Sequence, residues 1–266
     1  ELASSYAVRM LPQIFRADDP VLEVGLPIET RSELEDLLKG LPREVFLADD
    51  SLGWVYQFWQ AEQKDAVNKS EKKIGADELP AVTQLFTEDY MVEFLLHNTL
   101  GAWWAGKVFA ANPELAISAK DEDELRAACA VGGITWTCLR FVREEDEPWR
   151  PAAGVFPHWP RTAAELRVLD PCCGSGHFLV FALPILMAMR MAEEGLSARD
   201  ACDTVIHENL SGLELDSRCT QIAAFNLALA AWKLSEYHLL PPLQIACSGL
   251  SVGASKETWL NLAKGS

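Results

Sequence analysis

Hydrophobic residues recur with helical spacing along most of the first 150 positions. The segment from Leu52 to Lys69 predicts an amphipathic helix whose apolar stripe packs in a core. That stripe contains Trp54, Val55, Phe58 and Trp59. Farther on, Thr87 precedes two acids, as expected of an N-cap with carboxylates in the first helical turn, and predicts a strongly apolar helix from Met91 to about Phe109. We therefore expect residues 1–150 to form a mainly helical region.

The pattern changes after residue 162 to short apolar segments that alternate with longer helical ones. Strands are predicted at 166–170, 210–216 and 243–247, and helices at 177–194, 200–207 and about 217–237. Strands that alternate with helices through short connections predict an α/β fold with a parallel sheet. The intervening segment 144–162 contains four prolines and an acidic run, so the domain boundary is placed there, with a second domain over 151–266.

A glycine-rich turn follows the first predicted strand, which ends at Asp170. Ligands of open parallel sheets bind at the carboxyl ends of the strands, and a helix that starts after such a turn offers unpaired N–H groups to an anion. Leu179 stands where a dinucleotide fingerprint needs its third glycine, which disfavours a hydride-transfer cofactor. The second strand ends near Glu214, a carboxylate suited to both hydroxyls of a ribose. A glycine turn and a ribose acid together fit S-adenosylmethionine.

Three motifs carry a resemblance to a known family. Residues 168–179, which read VLDPCCGSGHFL, resemble the D-P-[AC]-C-G-S-G-x-F-L motif of amino-group DNA methyltransferases, chiefly the adenine-N6 kind. Residues 212–216 (GLELD) resemble the second motif of these enzymes, and residues 85–92 (LFTEDYMV) are similar to the F-T-P-x-x-[IV]-V motif, although its proline is missing. Residues 52–58 and 81–84 resemble the large methyltransferases of phage-defence systems (BREX and DISARM types) and of single-chain restriction-modification enzymes.

The resemblance implies a Rossmann-like S-adenosylmethionine-dependent methyltransferase core, preceded by the helical region. In that core Asp170 and the two glycines of the turn would contact the methionine part of the cofactor, and Glu214 would hold its ribose. Thr87 and Tyr90 would reach the methionine carboxylate, and Ser248 would accept a bond from the adenine amino group. The full set of expected cofactor residues is Thr87, Tyr90, Asp170, Cys172, Gly174, Ser175, Gly176, Glu214 and Ser248.

The sequence lacks the [ND]-P-P-[YFW] tetrapeptide with which these enzymes bind the target amino group and stack on the flipped base. No catalytic residue is therefore assigned, and the chain is expected to be a truncated, inactive part of an adenine-N6 DNA methyltransferase. The net charge is −16, of which −13 falls before residue 151, whereas a surface that binds DNA phosphates is expected to be basic. DNA is therefore expected to bind through other regions, with restriction or defence-system subunits as further candidate partners.

Two alternatives stay open on the sequence alone: a methyltransferase that acts on RNA or protein nitrogen, and a non-catalytic scaffold whose pocket is empty or occluded. The seven cysteines form no C-x-x-C pair, which predicts reduced thiols and no metal site. The sequence has neither an apolar stretch of membrane-spanning length nor a visible signal peptide, so we expect a cytoplasmic location and no membrane partner.

Overall fold

The computed structural model describes residues 6, 8–12, 14–15, 18, 20–47, 51–70, 82, 87–145 and 147–248. Helices dominate its N-terminal part, as the hydrophobic spacing predicted. They are α1 (Ile28–Gly40), α2 (Arg43–Leu47), α3 (Ser51–Lys69), α4 (Asp89–Leu96), α5 (Ala102–Ala111), α6 (Pro113–Ser118) and α7 (Glu122–Ala128). Among the described residues, none of the helices has the length and apolar content needed to cross a bilayer.

Helices α4 and α5 correspond to the long apolar helix predicted after Thr87. A π-helical turn at His97–Gly101 joins them, so the helical segment runs from residue 89 to 111. The prediction of Thr87 as its N-cap is wrong. The cap position is Glu88, whose carbonyl oxygen accepts the N–H groups of Met91 and Val92 and whose side chain makes no capping hydrogen bond. The helix therefore begins one residue too late for the hydroxyl of Thr87 to cap it.

Helix α3 has the predicted length, but the prediction that its apolar stripe lies in the core is wrong for most of that stripe. Phe58 is 74% exposed and Trp59 is 80% exposed, and Val55 is exposed as well. Gly53 and Tyr56, which lie on a different side of the helix, are buried. The side of the helix that contains Gly53 and Tyr56 therefore faces the rest of the molecule, and Tyr56 contacts a buried carboxylate described below.

The second strand of a two-stranded antiparallel sheet lies in segment 144–162, which the sequence predicted as a proline-rich boundary. The sheet pairs β1 (Phe141–Val142) with β2 (Arg150–Pro151). Strands of two residues carry no periodic hydrophobic signal, which explains why the sequence did not predict this sheet.

The C-terminal part is the expected α/β alternation. Its elements are β3 (Val168–Asp170), α8 (His177–Glu194), α9 (Ala198–Thr204) with a π-helical turn at Val205–Asn209, β4 (Leu210–Glu214), α10 (Ser217–Ser235) and β5 (Ile245–Cys247). The strands pair in parallel in the order β3-β4-β5. The register places Asp170 opposite Gly212 and Glu214 opposite Cys247, so all three strands end at one edge.

Helix α8, which follows the first strand of this sheet, is largely buried, with ten of its 18 residues in the interior. Its apolar side chains, such as Leu179, Leu183 and Leu186, belong to one hydrophobic cluster that also contains Val92 and Trp103 from the helical region. The cluster thus includes residues from both sides of position 150. The division into domains at 1–150 and 151–266 stays a prediction.

Candidate functional site

The glycine turn between β3 and α8 requires glycine at two positions. Gly174 has φ +52° and Gly176 has φ +86°, in the left-handed region that disfavours side chains with a Cβ. Gly176 also lies against α10, because a Cβ at this position would come within 3.0 Å of Ala223 Cβ and 3.1 Å of Ala223 Cα. The glycines therefore permit both the bend and the close packing of the turn on α10.

Hydrogen bonds hold this turn against β4 and α10. The N–H of Cys173 donates to the carbonyl oxygen of Leu213 (3.0 Å), and the Asn226 side chain donates to the carbonyl oxygen of Ser175 (3.0 Å). Ser175 is itself buried. The start of α8 is thus held in place at the edge where the strands end.

The carboxylate of Glu214 lies in the turn, which brings the two predicted cofactor motifs together. One of its oxygens, Oε2, accepts a hydrogen bond from the N–H of Gly174 (2.8 Å). The other, Oε1, accepts from the N–H groups of Leu215 (2.7 Å) and Asp216 (3.0 Å). A carboxylate offers about four acceptor positions, so three of those on Glu214 are occupied.

Asp170 and Ser248 flank Glu214 on the neighbouring strands. Asp170 accepts a hydrogen bond from the N–H of Cys172 (3.1 Å), and the N–H of Ser248 donates to the backbone oxygen of Glu214 (2.8 Å). Burial raises the pKa of the Asp170 carboxyl above its ordinary value, and the negative charge of Glu214 raises it further. Two carboxylates at one strand edge make a site that favours a ligand with a positive charge.

The segment that contains Thr87 and Tyr90 reaches the same site through the first residue of α8. The carbonyl oxygen of Thr87 lies 2.8 Å from Nδ1 of His177, and Oδ1 of Asp89 lies 3.4 Å from its Nε2. Tyr90 is 61% exposed on the first turn of α4. The structure therefore places this segment beside the glycine turn, whereas residues 85–86, the first two of the same motif, lie outside the described residues.

The two cysteines of the turn differ in environment. Cys173 is buried, and burial raises the pKa of its thiol to about 12, with Asp170 and Glu214 contributing. A thiol with such a pKa stays protonated near neutral pH and is a poor nucleophile. Cys173 instead fills space behind the sheet edge, where a Cβ on Gly212 would come within 3.2 Å of its sulfur. Cys172 is exposed.

Tyr56 on α3 also belongs to this region, and no role for it was predicted from the sequence. Its hydroxyl donates a 2.7 Å hydrogen bond to Oδ2 of Asp216, a buried carboxylate whose other oxygen caps α10 by accepting the N–H of Arg218. The Gln60 side chain donates in turn to the Tyr56 hydroxyl (2.8 Å). Burial and the bond to Asp216 raise the pKa of Tyr56 to about 12. Its partner lies 160 positions away, so no local pattern indicated the role.

Comparisons with known proteins agree with these motifs. Residues 158–239 match the model of the MmeI DNA-methyltransferase domain. The chain is 28% identical over 225 residues to the adenine-specific methyltransferase PglX of Lacticaseibacillus casei (strain Zhang), and 30% identical over 224 residues to the adenine-specific methyltransferase BrxX of Escherichia coli O9:H4 (strain HS). These alignments cover 82% and 83% of the chain and 17% of each relative.

A more distant relative is the putative type II restriction enzyme and methyltransferase RM.MjaORFECS2P of Methanocaldococcus jannaschii, at 22% identity over 238 residues. The alignment covers 82% of the chain and 18% of this relative, so the chain spans less than a fifth of the length of all three proteins. The resemblance that the sequence motifs predicted is confirmed: over most of its length the chain is a relative of the adenine-specific methyltransferases PglX and BrxX, and its residues 158–239 match the DNA-methyltransferase domain of MmeI.

Proposed function

We propose that this chain is the cofactor-binding part of an adenine-N6 DNA methyltransferase, built on a Rossmann-like core that binds S-adenosylmethionine. The observation that carries the proposal is the meeting of the glycine turn with the Glu214 carboxylate, whose Oε2 lies 2.8 Å from the N–H of Gly174. Parallel strands commonly bind nucleosides at such an edge. When bound, S-adenosylmethionine supplies a methyl group activated by a sulfonium.

The residues around the turn suit the methionine part of that cofactor. Asp170 offers a carboxylate to its ammonium group, and the backbone of Cys172, Ser175 and the two glycines can approach closely. Thr87 and Tyr90, in the segment that contacts His177 at the start of α8, are proposed to bind the methionine carboxylate. The start of α8 adds the positive end of a helix dipole, which favours the same carboxylate.

The residues at the end of β4 and β5 suit the nucleoside part. Glu214 would accept the ribose hydroxyls, and Ser248 would accept a bond from the adenine amino group. Because three acceptor positions of Glu214 are already occupied by backbone N–H groups, binding both hydroxyls requires the release of one of these groups, such as the N–H of Gly174. The ribose would thus replace a contact that the protein makes within itself.

Methylation of DNA is proposed to need regions that this sequence does not contain. The tetrapeptide that would bind the target amino group and stack on the flipped adenine is absent from all 266 residues. The net charge of −16 likewise disfavours a phosphate-binding surface. We therefore propose that the chain binds the cofactor without methylating DNA, and that the whole protein acts in a restriction-modification or phage-defence system.

A second candidate function is that of a scaffold whose cofactor site is occluded. The bond between Glu214 and the N–H of Gly174 favours it, because this contact takes up groups that a nucleoside would use. A methyltransferase that acts on RNA or protein nitrogen would share the cofactor site and differ only in its acceptor.

Isothermal titration calorimetry of the 266-residue chain with S-adenosylmethionine tests the proposal. We expect saturable binding that Glu214→Gln weakens about ten- to a hundredfold, since a hydrogen bond to a charged group contributes about 1.5–3 kcal/mol. The matched control is Glu62→Gln, which removes the same charge from an exposed position on α3 and should leave the affinity within about twofold. Absence of heat and of a thermal shift with either S-adenosylmethionine or S-adenosylhomocysteine would favour the scaffold.

A further inference from the structure

His177 is a buried polar side chain at the point where the glycine turn becomes α8. Its two ring nitrogens contact Thr87 and Asp89, which come about 90 positions earlier in the chain. The edge of the ring also packs at right angles against Phe181, one turn farther along α8, with 5.6 Å between the ring centroids. The imidazole therefore lies between α8 and the residues around the start of α4.

The geometry defines the hydrogen bonds that His177 makes. A carbonyl oxygen only accepts, so the 2.8 Å contact with Thr87 requires a proton on Nδ1. The other ring nitrogen, Nε2, lies 3.4 Å from Oδ1 of Asp89. The ring thus links the backbone at Thr87 and the first residue of α4 to the start of α8.

The first turn of α4 lies at the surface, outside the hydrophobic core. Val92 and Leu96 of this helix are buried in the core, whereas Asp89 and Tyr90 are exposed. Hydrophobic contacts therefore hold the middle of α4 against α8, and His177 contacts the end that the core does not reach. Tyr90 lies in that turn and Thr87 lies two residues before it, and both are proposed to bind the methionine carboxylate.

We propose that His177 is a positioning residue for cofactor binding: it fixes the segment from Thr87 to Tyr90 against the glycine turn and so completes the pocket for the methionine carboxylate. This inference rests on the proposed function. It assigns His177 no contact with the reacting atoms. Binding of the amino-acid part of the ligand should therefore depend on the His177 contacts, whereas binding of its nucleoside part should not.

Two ligands separate these parts. S-adenosylmethionine has the amino-acid end, and 5′-methylthioadenosine has the same adenine and ribose without it. For His177→Leu we expect the dissociation constant of S-adenosylmethionine to rise about tenfold or more, while that of 5′-methylthioadenosine changes less than about twofold. His177→Asn keeps a donor close to the position of Nδ1 and should recover most of the lost affinity. The control, His207→Leu, makes the same change at an exposed histidine and should alter neither constant.

Each outcome has a defined meaning. Equal weakening of both ligands by His177→Leu would show a general structural role and overturn the proposal, as would an unchanged affinity for S-adenosylmethionine. Failure of His177→Asn to recover affinity would exclude the hydrogen bond to Thr87 as the cause. A wild-type chain that binds neither ligand would instead refute the proposed function, which distinguishes the two failures.

Discussion

The variant Gly176→Ala tests how closely the glycine turn packs on α10. Gly176 has φ +86°, and its missing Cβ would lie 3.0 Å from Ala223 Cβ and 3.1 Å from Ala223 Cα. The second distance is to backbone in the middle of a helix, so rotation of a side chain cannot relieve it. The turn or the helix must shift.

The expected loss has two parts. A residue with a Cβ in the left-handed region costs about 1–2 kcal/mol, and overpacking of a close contact costs about 1–3 kcal/mol more. Gly195 provides a matched control, because it ends α8 with φ +71° and a Cβ there would meet nothing within 4 Å. Gly195→Ala should therefore lose only the first part, and Gly176→Ala should lose about 2–5 kcal/mol in total.

Urea unfolding followed by circular dichroism measures both variants against the wild type. We expect the midpoint of Gly176→Ala to fall clearly below that of Gly195→Ala, with similar m-values, so that the difference reports stability alone. Binding of S-adenosylmethionine should weaken in Gly176→Ala and stay unchanged in Gly195→Ala. If the two alanine variants were equally stable, the inferred contact between the turn and α10 would be wrong.

Two further predictions concern side chains near the same sheet edge. Tyr56→Phe leaves a buried oxygen of Asp216 without its 2.7 Å donor and should lower the free energy of unfolding by about 1–3 kcal/mol in urea titrations. Because the pKa of Tyr56 is raised to about 12, its contribution is present below pH 10 and lost as the pH rises toward 12, so the variant should lose less stability over that range. The third variant is Asp170→Asn. In the wild type, the raised pKa of Asp170 means that the folded protein binds a proton more tightly than the unfolded chain does. The free energy of unfolding of the wild type should therefore fall as the pH rises through the ordinary range of aspartate. Asp170→Asn should lack that fall, and thermal unfolding at pH 7 should show it to be more stable than the wild type. It should also bind S-adenosylmethionine more weakly. Unchanged stability would contradict the inference that burial of the Asp170 carboxylate destabilises the folded protein.

The α/β half of the chain was readable from the sequence because its signals are local. An apolar segment that ends in Asp170, two glycines and a long apolar helix predicted β3, the turn and α8, and the helix has the predicted bounds His177–Glu194. The strands are shorter than predicted, since β3 comprises only Val168–Asp170 and β5 only Ile245–Cys247. Hydrophobic periodicity predicts the presence of a strand or helix better than it predicts the residues at which that element begins and ends.

The orientation of α3 could not be read in the same way. Its apolar stripe predicted burial of Phe58 and Trp59, yet the helix turns Tyr56 inward. On the inward side, the Tyr56 hydroxyl donates a hydrogen bond to a buried acid 160 positions away. The spacing of apolar residues indicates which side of a helix is apolar, and it gives no information on the contacts that the other side makes.

The sequence by itself determined the order of strands and helices, the glycines of the turn and the acid that follows β4, because backbone conformation and hydrophobic spacing act between residues close in the chain. Tertiary structure alone decided that Glu214 binds the N–H of Gly174 and that His177 holds Thr87. Those contacts join residues 40 and 90 positions apart. They form because the parallel strands end at one edge and α4 packs on α8, an arrangement that arises only when the whole core is assembled.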